Sequence, residues 1–158
     1  MPALVDSHTH AVFGAPRAAE HEMRAAGADY MGIARRGGGI HASVRDVRQR
    51  NRAELLALAR ARVGRLASFG VGTIEVKSGY GLSLDDELKL LRVISDLAEE
   101  VPVRIVPTFL GAHEIPHEFR ETAARRREYM DLIVHEMLPL VAREQLLARE
   151  QLVDHDPE

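Results

Sequence analysis

The sequence predicts an α/β fold built on a parallel sheet. Three observations lead there. Short apolar or β-branched runs at Leu4–Asp6, Val71–Val76 and Val103–Leu110 alternate with segments of helical period. Each run is followed by a polar, glycine-containing loop rather than by a two-residue hairpin turn. Strand–helix–strand order of this kind builds right-handed parallel units.

The elements follow in order. Leu4–Asp6 is a strand that runs into His8 and His10. Residues 18–36 read as two weak helical pieces broken near Gly27, and Gly37-Gly38-Gly39 as a flexible loop. Ser43 is an N-cap candidate for a helix from about Val44. Ala53–Ala67 is a stronger helix, with Leu55, Leu56, Ala59, Val63 and Leu66 on one stripe and Gly70 at its end. Val71–Val76 is a strand that enters Lys77-Ser78-Gly79-Tyr80-Gly81. Ser83 caps a helix over Leu84–Glu99, with Asp86 as an approximate capping-box partner. Val103–Leu110 is the third strand, followed by Gly111-Ala112-His113-Glu114. A long helical region fills Glu118–Gln151, with a break at Pro139. The near-repeat Ala142–Leu146 and Ala148–Leu152 is too short for a solenoid unit and reads as helix filler.

Composition narrows the function classes. The chain has 158 residues, enough for one domain with a real core. Its formal net charge is -3, with acids and bases interspersed, which points away from nucleic acid and from membrane surfaces. There are no cysteines, so disulfides and thiolate metal sites are excluded. No signal pattern or bilayer-length apolar run is present, so a cytoplasmic location is the expectation. Eight histidines hint at metal or acid–base chemistry.

The chemistry-bearing residues collect at strand ends, where parallel α/β proteins place their sites. His8 and His10 are two apart on an extended segment, so both imidazoles can reach one cation; a pair of surface or capping histidines is the alternative. Asp6 could be a further ligand or could orient one of them. Arg17 could bind a substrate carboxylate through two parallel hydrogen bonds, or be a solvated arginine. Tyr80, between two glycines, could present its phenol to a ligand or be a turn tyrosine. His113 could be a ligand donor or general acid, or a helix-entry histidine. Lys77 could be a modified, metal-bridging lysine or an ordinary ion-paired one. His21, His41, His117, His135 and His155 read as unremarkable, His41 standing beside the triple glycine.

Together, "LVDSHTH", "GGGI", "EVKSGYGL", "TFLGAHEIP" and "HEMLPLVA" resemble imidazolonepropionase, in the metal-dependent amidohydrolase superfamily. The H-x-H motif belongs to the whole superfamily, whereas "EVKSGYGL" and "TFLGAHEIP" are much narrower. The likeness runs from Pro2 to Glu144. It implies a (β/α)8 barrel with a small β-sandwich. It also implies hydrolysis of 4-imidazolone-5-propanoate to N-formimidoyl-L-glutamate with one Zn2+ or Fe3+ ion. On that likeness His8 and His10 are metal ligands, and Arg17, Tyr80 and His113 hold the substrate. A barrel of this type takes about 250 residues. The expectation is therefore a truncated half-barrel over residues 1–144 with about three strands, and a divergent polar tail over 145–158. The third metal histidine, the metal aspartate and the acid–base carboxylate of the family have no counterpart, and His155 and Asp156 lie in the wrong context to replace them. Exposed strand edges would favour self-association, and the partner otherwise expected is a small-molecule substrate. A dihydroorotase- or hydantoinase-like hydrolase and a non-catalytic fragment are the alternatives.

Overall fold

A computed structural model describes residues 2–29, 32 and 38–147. Among them run β1 (Leu4–Thr9), α1 (Ala18–Ala25), α2 (Ile40–Gln49), α3 (Arg52–Ser68), β2 (Val71–Lys77), α4 (Leu84–Glu100) and β3 (Arg104–Thr108). A 3-10 turn (His117–Phe119), α5 (Ala123–Leu132), a π turn (Ile133–Met137) and α6 (Leu138–Arg143) follow. The strands form one parallel sheet in the order β1-β2-β3. The parallel α/β class is thus present. The eight strands that close a barrel are not among the described residues, and β1 and β3 are the sheet's two edges.

The core lies between the sheet and the helices. Along β2, Ile74 and Val76 are wholly buried while Glu75 and Lys77 between and after them are not, the alternation of a strand with two unlike faces. Leu55, Ala59 and Val63 of α3 recur every fourth residue and are each fully buried. Leu88, Leu91, Ile94 and Leu97 of α4 belong to the same cluster. Each buried leucine contributes about 1.5–3 kcal/mol relative to an exposed one.

The helix starts are set locally. Asn51 accepts from the Glu54 amide at 2.9 Å while Glu54 reaches back to the Asn51 amide at 2.9 Å, a full capping box that fixes α3. Ser83 accepts from the Asp86 amide at 3.2 Å, as expected from the sequence, although Asp86 takes the Ser83 hydroxyl proton rather than its amide. Gly70, at φ +86°, ends α3 in the left-handed region.

Three expectations need correction. Ser43 is not an N-cap: α2 starts at Ile40 after Gly39, whose φ of +74° opens the helix earlier, and Ser43 lies buried inside it. Pro139 does not break the last helical region. It sits in the first turn of α6, where its missing N–H costs least, and the preceding turn widens to π to pass it. The real interruption comes earlier, at Arg120–Thr122, where Thr122 caps α5 through the Arg125 amide at 3.1 Å. The second weak helical piece, Gly37 of the triple glycine, His155 and residues 148–158 of the tail lie outside the described residues. Leu146 is buried in the main core.

Candidate ligand and metal site

The site grows from irregular pairing of β1. Leu4 lies opposite Val71 and Val5 opposite Thr73, so β2 carries an extra residue at Gly72. Asp6 then lies opposite Ile74 and Thr9 opposite Val76, so β1 carries an extra residue in return. His8 falls inside this second irregularity and His10 just beyond it. Bulges bend a strand and re-aim its side chains. Here the His8 and His10 rings end 6.0 Å apart between centroids, inclined by 67°. Asp6 accepts the His8 amide at 3.4 Å, so its carboxylate braces the backbone of the pair.

His10 is the centre of an aromatic stack. Its ring lies 4.6 Å from Tyr80 and 4.8 Å from His113, both nearly parallel to it. Burial, with the neighbouring His113, His8 and Lys77, pushes the His10 imidazole down to about 4, against a smaller opposing pull from Glu75. The ring is therefore neutral near pH 7, with a lone pair free for a proton or a cation. Its Nδ1 is buried and has no hydrogen-bond partner among the described residues. Burial raises the Tyr80 phenol, so it remains a hydrogen-bond donor at neutral pH, while Arg17 pulls the other way.

His10 and Tyr80 share a cavity of ≈ 380 Å³ with Phe13, Ala15, Pro16, Arg17 and Ser43. Arg17, just ahead of α1, pairs with Glu20 at 3.5 Å. His113 sets its Nδ1 3.2 Å from the Gly79 carbonyl, joining the loop after β3 to the loop after β2. Gly79 is at φ +96°, and a methyl there would meet His113 at 2.9 Å, so only glycine fits. Arg17, Tyr80, His113 and the histidine pair thus meet at one end of the strands.

Supporting residues were not singled out from the sequence. Arg62 of α3 donates to the carbonyls of Ala11, Phe13 and Gly14 at 3.1, 2.5 and 2.5 Å, and stacks on Phe13 at 3.5 Å. Asp46 of α2 accepts the Ala15 amide at 2.7 Å and pairs with Arg50. These two hold the loop from His10 to Arg17. The signal available was only an arginine and an aspartate in amphipathic helices, which reads as solvated surface. Lys77 is ion-paired to Glu75, so its amine is engaged, and Glu75 also accepts the Thr9 amide at 3.3 Å. His41 and His117 stack at 4.0 Å, fastening the start of α2 to the 3-10 turn.

Two imidazoles side by side, one with an unpartnered buried nitrogen, suit two nitrogen ligands of a zinc or iron ion. Among the described residues no group of three or more His, Cys, Asp or Glu side chains could hold a metal ion. Within the described residues His8 and His10 are thus two candidate nitrogen donors and not a complete ligand set. No helix among them is long and apolar enough to cross a membrane.

No protein-family model matches the chain. The chain is 54% identical to the imidazolonepropionase of Symbiobacterium thermophilum over 149 residues, which is 94% of this chain and 34% of that protein. It is 53% identical to that of Shewanella amazonensis over 146 residues, 92% of this chain and 35% of the relative. With that of Solibacter usitatus the identity is 51% over 146 residues, again 92% of this chain and 34% of the relative. The chain spans about a third of the length of the curated relatives it matches. It is homologous, over nearly its whole described length, to a segment of imidazolonepropionase.

Proposed function

We propose that this chain forms the substrate-arm side of a ring-amide hydrolase that opens 4-imidazolone-5-propanoate to N-formimidoyl-L-glutamate. The observation that carries the reading is the convergence of Arg17, Tyr80 and His10 on one cavity, with His113 stacked behind it. The substrate is a flat polar ring with a flexible carboxylate arm. Arg17 binds the propanoate by charge-assisted hydrogen bonds. The Tyr80 phenol donates to a ring heteroatom, and the cavity lined by Tyr80, His10 and Arg17 takes the ring beside the stacked His10 and His113 imidazoles. His8 and His10 supply two ligands of one Zn2+ or Fe3+ ion, and the others come from outside the described residues. When bound, such an ion brings the pKa of a coordinated water toward neutrality. The C–N bond of the ring amide is the one cleaved. A carboxylated Lys77, as a dihydroorotase-like reading would use, has to give up its Glu75 partner first. The partner in this reading is the small-molecule substrate, with self-association through the exposed edges of β1 and β3 beside it. A cytoplasmic setting goes with the reading.

The test is binding of hydantoin-5-propanoate, a stable ring amide with the same arm, followed by calorimetry. Loss of the guanidinium in Arg17→Gln should weaken it at least about tenfold, the equivalent of one charge-assisted hydrogen bond. The same ring with an uncharged ethyl arm should be indifferent to that change. Equal weakening of both ligands, or no binding of either, would sink the proposal.

A further inference from the structure

We infer that Glu87 is a positioning residue for Tyr80, acting through the backbone on both sides of the phenol. The inference rests on the reading of the cavity as the ring-binding pocket.

Glu87 lies in the first turn of α4 and is completely buried. A buried carboxylate needs several donors to offset the loss of water. Glu87 finds them all in one loop. Its Oε1 accepts the amides of Gly81 at 2.8 Å, Leu82 at 2.9 Å and Gly79 at 3.2 Å, and its Oε2 accepts Gly79 at 3.0 Å. Helix capping does not explain this. Ser83 and Asp86 already cap α4, and the side-chain bonds of Glu87 go to the loop rather than to the helix's own amides.

The donors bracket Tyr80. Gly79 precedes it, Gly81 and Leu82 follow it, and the carboxylate gathers all three from one side. The carbonyls are taken from other directions. Arg48 of α2 donates to Gly81 and Leu82 at 2.8 and 2.9 Å, and His113 meets the Gly79 carbonyl. Leu82 is held at φ +51°, a conformation a leucine keeps only when its surroundings impose it. A methyl on Gly81 would stand 2.5 Å from the backbone of Asp86 and Glu87, so the loop lies directly on the helix start. The backbone on either side of Tyr80 is fixed to α4, and the ring projects to His10 and the cavity.

Glu87→Gln is the sharpest change. It keeps one acceptor for Gly81 and Leu82 but turns an amide N–H toward that of Gly79. With hydantoin-5-propanoate as the probe, Glu87→Gln should weaken binding about tenfold in the parent chain. In a Tyr80→Phe background, where the phenol is already gone, the same change should cost less than about twofold. Arg48→Gln, which frees the carbonyls instead, should show the same coupling and stands in if Glu87→Gln does not fold. Proton NMR of the ligand-free chain gives a second readout. The nuclear Overhauser contacts of the Tyr80 ring with His10 and His113 should fade in either variant, while the methyl shifts of Leu91 and Ile94 stay in place. A purely structural role would lower the melting temperature and leave those ring contacts intact. Retained ring contacts, or binding losses that add in the Tyr80→Phe background, would overturn the inference. If the parent chain does not bind the probe, the proposed function fails, and the ring contacts alone decide the role of Glu87.

Discussion

The two faces of the sheet are made of different material. On one, Ile74 and Val76 of β2 and Ile105 of β3 meet α3 and α4 in a core that, among the described residues, is built from apolar side chains. On the other, Glu75 and Lys77 lie near Thr9, Thr108 and the His10 ring; Glu75 pairs with Lys77 and accepts from Thr9 and Thr108, while the buried His10 Nδ1 has no partner among the described residues. Burial alone would raise the Glu75 carboxyl, but the hydrogen bonds from Lys77, Thr108 and Thr9 outweigh it and hold the carboxyl below its ordinary range. The first face resists volume change and tolerates no charge. The second resists unpairing and tolerates changes of volume. Stability and chemistry are thus separated by the thickness of one strand.

The largest test of this contrast is Leu91→Ala, on the packed side. Leu91 is fully buried, and its loss should cost about 2–5 kcal/mol in urea unfolding. Next comes Lys77→Met on the other face, which leaves Glu75 without its cation. The two side chains are 15% and 14% exposed, so the expected cost is about 1–3 kcal/mol. Adding Glu75→Gln should recover part of that loss, because an unpaired partner is worse than none. If Lys77→Met costs as much as Leu91→Ala, or if the double change is simply additive, the contrast between the faces collapses.

Two smaller effects sharpen it. Asn51→Ala removes the cap of α3 and should cost about 1 kcal/mol, whatever happens on either face. The smallest effect concerns pH. Burial, with Arg120, His117 and Arg45, holds His41 below its ordinary value, with Glu114 opposing. The unfolded chain therefore binds this proton more readily than the folded one. The His41 contribution is complete above the unfolded value of 6.5 and is lost as pH falls toward the lower folded value. Melting curves across that range should show the slope, and His41→Phe should flatten it.

Much of this was legible in the sequence. Val71–Val76 and the stripe Leu55, Ala59, Val63 carry their period openly, and the structure places them in β2 and α3. The meeting of His8, His10, Arg17, Tyr80 and His113 followed from strand-end loops in a parallel sheet. What stayed hidden depends on partners distant in sequence. Glu87 reads as an ordinary first-turn acid until Gly79, Gly81 and Leu82 are seen folded against it. Arg62 reads as helix surface, yet its three carbonyls lie 48 to 51 residues away. Pro139 reads as a stop for the helix, and a wider turn accommodates it instead.

The paired irregularities of β1 and β2 behave like a phase error and its correction. Between Leu4–Val71 and Thr9–Val76 both strands advance by the same number of residues, so the ends are in step and only the stretch between is displaced. Deleting Gly72 would leave every one of these pairs in place and only straighten β2 below the site. Deleting one residue near Ser7 would straighten β1 where His8 sits, and the bend that re-aims the histidine rings would go with it. The histidine pair is therefore far more sensitive to a deletion in β1 than to one at Gly72, although each removes a single residue from the same ladder.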